Sequence, residues 1–215
     1  MSGTPGTVSR YTAPARANHW VTAISLVLLA LSGMSLFHPS LFFLTNLFGG
    51  GASTRAIHPW IGVVLVVSFA GLFFRFVRLN LPNADDSAWM RALPAVLKGD
   101  EERVPEIGKY NAGQKLVFWG MALLILVLVI SGLLIWDQYF AQYSRVETKR
   151  YAALIHAIGA VVVILILIAH VYAAIWVRGT ISAMTTGSVT AGWAWRHHRK
   201  WLREEAAKEG RAGKA

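Results

Sequence analysis

The chain has 215 residues, no cysteine, 55% hydrophobic and 15% charged residues, and a formal net charge of +10. Its mean hydropathy of +0.46 lies above the balance of a water-soluble domain and points to a membrane protein. Without cysteine the chain has no disulfides, no thiolate-held iron-sulfur clusters, no thiolate-ligated haem and no covalent C-x-x-C-H attachment, so any haem is held noncovalently.

Four stretches free of Lys, Arg, Asp and Glu follow one another along the chain: Trp20 to Phe37, Ile57 to Phe74, Leu116 to Trp136 and Tyr151 to Val177. At about 1.5 Å of rise per residue, roughly 20 residues cross a hydrocarbon core, so each run suits a spanning helix. Arg10 and Arg16 precede the first run as they would a signal peptide, but no clear small-x-small cleavage site follows, and it is read as a retained span. The loop from Ser40 to Phe48, closed by Gly49, Gly50 and Gly51, is apolar but too short to cross and is expected at the interface. In the loop after the second run, Asp85, Asp86 and Ser87 suit the cap of a short helix carrying Trp89, Leu93, Val96 and Leu97, broken or kinked at Pro94. After Arg178, Trp193, Trp195 and Trp201 alternate with Arg196, Arg199, Lys200 and Arg203, as in an interfacial helix, and the residues from Gly210 onward read as disordered.

Of the 21 Lys and Arg, 17 fall in the N-terminal tail, the segment from Arg75 to Lys115 and the tail after Val177, and 4 in the two other loops. That bias predicts both termini in the cytoplasm. It also accounts for the basic charge by topology, and with no soluble basic domain a nucleic-acid role is excluded. The expected fold is an all-α four-helix membrane bundle, one domain over 1–215, with spans at about 19–37, 57–77, 115–136 and 151–177, a cytoplasmic tail over 178–215 and no internal repeat.

Ligand-capable side chains inside spans are rare because burying them unpartnered costs several kcal/mol. Four of the seven histidines lie in or at the mouths of spans: His19, His58, His156 and His170. His156 and His170 are 14 residues apart, which places them about 40° from a common helical face and about 21 Å apart along it. That separation suits two sites at different depths. Chain direction then supplies partners: His58 enters from the same side as His156, and His19 from the side of His170. The predicted pairs are His58 with His156 and His19 with His170, each holding one haem b. Bis-histidine ligation leaves iron no open position and suits electron transfer. Small residues near these positions, among them Gly62, Ala153, Ala157, Gly159 and Ala173, allow close approach, though they also serve helix packing. His38, His197 and His198 are read as solvated or headgroup-facing. Arg75 and Arg78 suit positive-inside anchors.

With these residues in view, the chain resembles over nearly its whole length the gamma subunit of membrane-bound respiratory formate dehydrogenases, a di-haem cytochrome b. The resemblance rests on Asn18-His19-Trp20, Ile57-His58-Pro59, the stretch Gly108 to Lys115, Leu154-Ile155-His156 and Ala169 to Ala173. It implies that the four histidines are haem ligands. It also implies a menaquinone or ubiquinone pocket on the cytoplasmic side, formed by Asn111, Gly113 and Gln114 near the ligand His170. Asn111 and Gln114 offer amide donors to a quinone carbonyl, and Gly113 lets a backbone N–H approach closely. The implied partners are an iron-sulfur (beta) subunit, a catalytic molybdenum or tungsten formate dehydrogenase (alpha) subunit and membrane lipid, in the bacterial inner membrane. The chain has no G-x-G-x-x-G signature and no dehydrogenase active site of its own. Two other readings stay open: a cytochrome b serving a hydrogenase or another molybdoenzyme, and a transporter using intramembrane histidines as a proton relay.

Overall fold

The computed structural model describes residues 6–100 and 103–212. Four helices are long and apolar enough to cross a membrane: α1 (Ala13–Phe37), α2 (Gly51–Phe76), α5 (Ala112–Ile135) and α7 (Val146–Trp176). Between them lie α3 (Ala84–Arg91), α4 (Leu93–Lys98) and α6 (Asp137–Phe140). The C-terminal part adds α8 (Thr180–Thr185), α9 (Ala191–His197) and α10 (Arg199–Ala212). Two short strands, β1 (Thr7–Ser9) and β2 (Ser188–Thr190), pair antiparallel with Val8 opposite Val189.

The spanning helices start three to six residues before the expected spans. Arg16, Arg55, Lys115, Glu147, Lys149 and Arg150 all lie within helix. A charge marks the edge of the hydrocarbon layer, whereas a helix continues beyond it wherever its backbone stays paired. In α2 this places Pro59 inside the helix rather than at its start. After α1 the chain turns at His38, whose ring accepts from the Ser40 N–H, and runs as a 3-10 helix over Pro39–Phe48. Gly49, at a φ of 81°, closes it in the left-handed region that favours glycine.

The described residues group into two compact units. The first, over 17–74 and 120–172, contains most of the four long helices. Side chains tie them in pairs. Asn18 Nδ2 donates to the Ser68 carbonyl at 3.0 Å and Thr22 Oγ1 to Ser68 Oγ at 3.1 Å, joining α1 to α2. Gly71 admits Asn18 there, since a Cβ at Gly71 would lie 2.7 Å from Asn18 Nδ2. Gly159 on α7 faces Leu128 on α5 in the same way, with a Cβ position 3.3 Å from Leu128 Cδ2. Trp60, Trp136 and Tyr139 stack edge to face with centroids 5.1–6.1 Å apart.

The second unit, described over 6–16, 75–100, 103–119 and 173–212, has two small cores. One gathers Ala183, Val189, Trp193, Ala194 and Trp201, with Val8, Tyr11, Val177 and Leu202 against them. The other gathers Trp89, Ile107 and Ala112. The cap of α3 is Asn83, not Asp85 to Ser87: Asn83 Oδ1 accepts from Asp85 N–H, and Asp86 Oδ2 accepts from Asn83 N–H in return. The break between α3 and α4 falls at Ala92, and Pro94 sits in the first turn of α4, where its missing N–H costs no helical hydrogen bond.

The tail also differs from the interfacial helix expected. Trp193 and Trp201 are buried in the core, and only Trp195 faces outward. The helix α10 continues through Gly210 to Ala212, so part of the stretch read as disordered is helical, and the rest lies outside the described residues. His198, expected to be solvated, is 2% exposed.

Candidate functional site

The four histidines meet as two pairs. The rings of His19 and His170 have centroids 6.4 Å apart, and those of His58 and His156 6.3 Å apart. Among the described residues no three of His, Asp and Glu gather as a metal-holding group. The partners are those derived from chain direction.

A second layer that the sequence reading missed holds one pair. Ser32 Oγ lies 2.7 Å from His58 Nδ1, and Ser131 Oγ lies 3.0 Å from His156 Nδ1. Each serine also donates to the carbonyl four residues back, Leu28 and Val127 respectively, both at 2.7 Å. A glycine follows each serine. A Cβ at Gly33 would lie 3.4 Å from His58 Cε1, and one at Gly132 would lie 3.3 Å from His156 Cε1. The imidazole edges therefore rest on helix backbone where a larger residue would press on them.

These residues fit a bis-histidine haem. A metal–imidazole nitrogen bond of about 2.0 Å, plus about 1.1 Å from that nitrogen to the ring centre, would put the centres of two imidazoles sharing one metal ion up to about 6.2 Å apart. Both pairs lie within about 0.2 Å of that separation. Serine hydroxyls at Nδ1 of His58 and His156 leave Nε2 as the nitrogen free to bind metal. In the other pair, the buried His19 Nδ1 has no protein partner.

Asn111, Gly113 and Gln114 lie together at the start of α5, in the second unit. Asn111 Oδ1 accepts from the Gln114 N–H at 2.8 Å, and Gln114 Oε1 accepts from the Asn111 N–H at 3.0 Å. This reciprocal capping box occupies both side-chain oxygens and leaves the amide NH2 groups as the donors for a ligand. Gly113 has a packing role, since a Cβ there would lie 3.0 Å from Trp89 Cη2.

The loop preceding this cap is fixed by Arg10 and His198, neither of which the sequence marks as a buried contact. Arg10, 5% exposed, donates from Nη2 to the Lys109 carbonyl at 2.6 Å. Its guanidinium lies 4.8 Å from the Trp201 ring centre and 5.1 Å from that of Trp193. Lys109 Nζ donates back to the Arg10 carbonyl at 3.0 Å. His198 contacts the Gly108 carbonyl through Nδ1 at 2.8 Å. Burial, with the Arg10 charge beside it, lowers the His198 pKa to about 3. Burial also lowers Lys109 and raises Tyr110, the latter reinforced by Tyr11 beside it.

A four-helix membrane bundle with paired interior imidazoles has the architecture of a membrane cytochrome of the b type. Residues 10–187 match the family described as prokaryotic cytochrome b561, and the chain belongs to that family. It is a multi-pass membrane protein, and the family implies haem b. The chain is 43% identical over 202 residues to the nitrate-inducible formate dehydrogenase cytochrome b556(Fdn) subunit of Escherichia coli, covering 92% of this chain and 93% of that one. It is 42% identical over 198 residues to the E. coli formate dehydrogenase cytochrome b556(fdo) subunit, with the same coverage. To the formate dehydrogenase cytochrome b556 subunit of Haemophilus influenzae it is 36% identical over 198 residues, covering 92% of this chain and 83% of that one.

Proposed function

We propose that the chain is the membrane cytochrome b subunit of a respiratory formate dehydrogenase, carrying electrons from an iron-sulfur subunit to quinone. The observation that carries this reading is the meeting of the four imidazoles as two pairs, with ring centres 6.4 and 6.3 Å apart. In it, His58 with His156 and His19 with His170 would each hold one haem b, which when bound would supply a one-electron couple. Relatives named as formate dehydrogenase subunits support the choice of partner enzyme.

The orientation follows from the basic bias: both termini and the segment from Arg75 to Lys115 face the cytoplasm of a bacterial inner membrane, with His58 and His156 toward the opposite surface. Asn111 and Gln114 present their amide NH2 groups to a quinone carbonyl, and the capping box sets the direction of both side chains. Gly113 keeps the helix entry compact against Trp89. The chain contributes ligands, orientation and water exclusion, while formate oxidation belongs to the catalytic partner.

The test is purification of the assembled complex from membranes with formate-dependent reduction of a soluble menaquinone analogue. Co-purification with an iron-sulfur subunit and a molybdenum or tungsten dehydrogenase, with quinone reduced on adding formate, is the expected result. Co-purification with a hydrogenase would overturn the choice of partner.

A further inference from the structure

We propose that Ser32 and Ser131 lower the potential of the haem held by His58 and His156, making it the lower-potential of the two; this rests on the two-haem reading above. The protons in the hydrogen bonds can be assigned. Ser32 Oγ carries one proton, and a carbonyl can only accept, so the 2.7 Å contact with Leu28 takes that proton. Toward His58 Nδ1, at 2.7 Å, the serine oxygen must then accept and the ring must donate. The same accounting holds for Ser131, which donates to Val127 at 2.7 Å and faces His156 Nδ1 at 3.0 Å.

Both imidazoles of this pair therefore donate from Nδ1–H, and in the neutral form that binds a metal Nε2 is the bare nitrogen. A hydrogen bond donated from Nδ1–H makes the far nitrogen a stronger electron donor to a metal. Stronger donation from both axial ligands favours ferric over ferrous iron and lowers the potential. The other pair lacks this support. His19 Nδ1 is buried without a protein partner. Among the described residues neither the His19 nor the His170 ring is joined to a serine as His58 and His156 are. Transfer from the His58/His156 side to the His19/His170 side then runs downhill by construction of the ligand surroundings.

The two serines are also placed alike. Ser32-Gly33 precedes His58 by 26 residues and Ser131-Gly132 precedes His156 by 25, counted from each serine. Each Ser-Gly step sits on the helix before its histidine: the serine meets Nδ1, and the glycine admits the Cε1 edge. Two separate helices thus supply the same local device to the two sides of one metal position.

The test is an optical potentiometric titration of the purified holo-complex, following the α-band of each b haem. In Ser32→Ala and Ser131→Ala, the lower of the two couples rises, rises further in the double variant, and the higher couple stays in place. Ser32→Thr and Ser131→Thr, which keep the hydroxyl, hold the lower couple near its original position. Ser32→Cys and Ser131→Cys, close in size but with a weaker acceptor, raise it by less than alanine does, which covers the case of an alanine variant that fails to assemble. Two haems per chain with both couples unmoved, or a shift confined to the higher couple, would overturn the proposal and leave the two-haem reading standing. One haem per chain in the unmodified protein would instead overturn the reading on which the proposal rests.

Discussion

His198 Nδ1 donates to the Gly108 carbonyl oxygen at 2.8 Å, while its Nε2 lies 3.4 Å from Arg10 Nη2. The ring must be neutral to serve both, since a proton on Nε2 would face a guanidinium. Its folded pKa of about 3 lies below the unfolded value of 6.5, chiefly through burial and then through Arg10. The unfolded state therefore binds the proton first as pH falls. The contribution of His198 is complete above pH 6.5 and is lost progressively down toward pH 3. At pH 5 the loss is about 2 kcal/mol. Amide hydrogen exchange across 191–212 should accelerate between pH 7 and pH 5 beyond the intrinsic pH effect, and His198→Asn should flatten that response.

Lys115 is 6% exposed, with its ammonium 2.9 Å from Asp86 Oδ2 and 3.0 Å from the Leu81 carbonyl. Asp86→Asn leaves that cation buried without its counter-charge and also weakens the α3 capping box. The expected cost is about 2–3 kcal/mol. It should appear as earlier proteolysis of the 75–115 segment, with haem content unchanged.

The Asn111 capping box allows its structural and ligand roles to be separated. Asn111→Ala should remove about 1 kcal/mol of helix capping and the amide donor together. Asn111→Asp keeps an oxygen for the Gln114 N–H but has no NH2 group. Under the quinone reading it should raise the KM for a menaquinone analogue several-fold while thermal stability holds. An unchanged KM in Asn111→Asp would remove Asn111 from the quinone site.

Gly71→Ala would place a methyl 2.7 Å from Asn18 Nδ2, where the amide donates to Ser68. The amide must move and the bond to Ser68 is lost, one residue from His19. A cost of about 1–2 kcal/mol is expected. The absorbance of one b haem should decay faster on heating than that of the other.

What the sequence made legible follows from contrast. In apolar runs a histidine stands out, so His19, His58, His156 and His170 and their pairing could be read from spacing and chain direction alone. Ser32 and Ser131 did not stand out, because a serine bonded to the carbonyl four residues back is ordinary in a membrane helix. The only signal was the Ser-Gly step repeated 26 and 25 residues before its histidine. Arg10 and His198 were hidden for another reason: their contact spans 188 positions, and nothing local to either predicts it. The basic, Trp-rich tail has the composition of an interfacial helix, but Val8 on β1 and Arg10 give Trp193 and Trp201 a protein surface to bury against. At Asn111 and Gln114, both the helix-entry role and the ligand role were open in the sequence, and the capping box establishes the first.

Whether two histidine pairs hold two haems is decided by haem quantification of the purified chain alongside a reduced-minus-oxidised spectrum, with His170→Ala as the comparison. Two b haems per chain are expected in the unmodified protein, and one in His170→Ala with the other spectrally intact. Haem-free protein despite cofactor supplied during expression, or a variant that retains both haems, would contradict it.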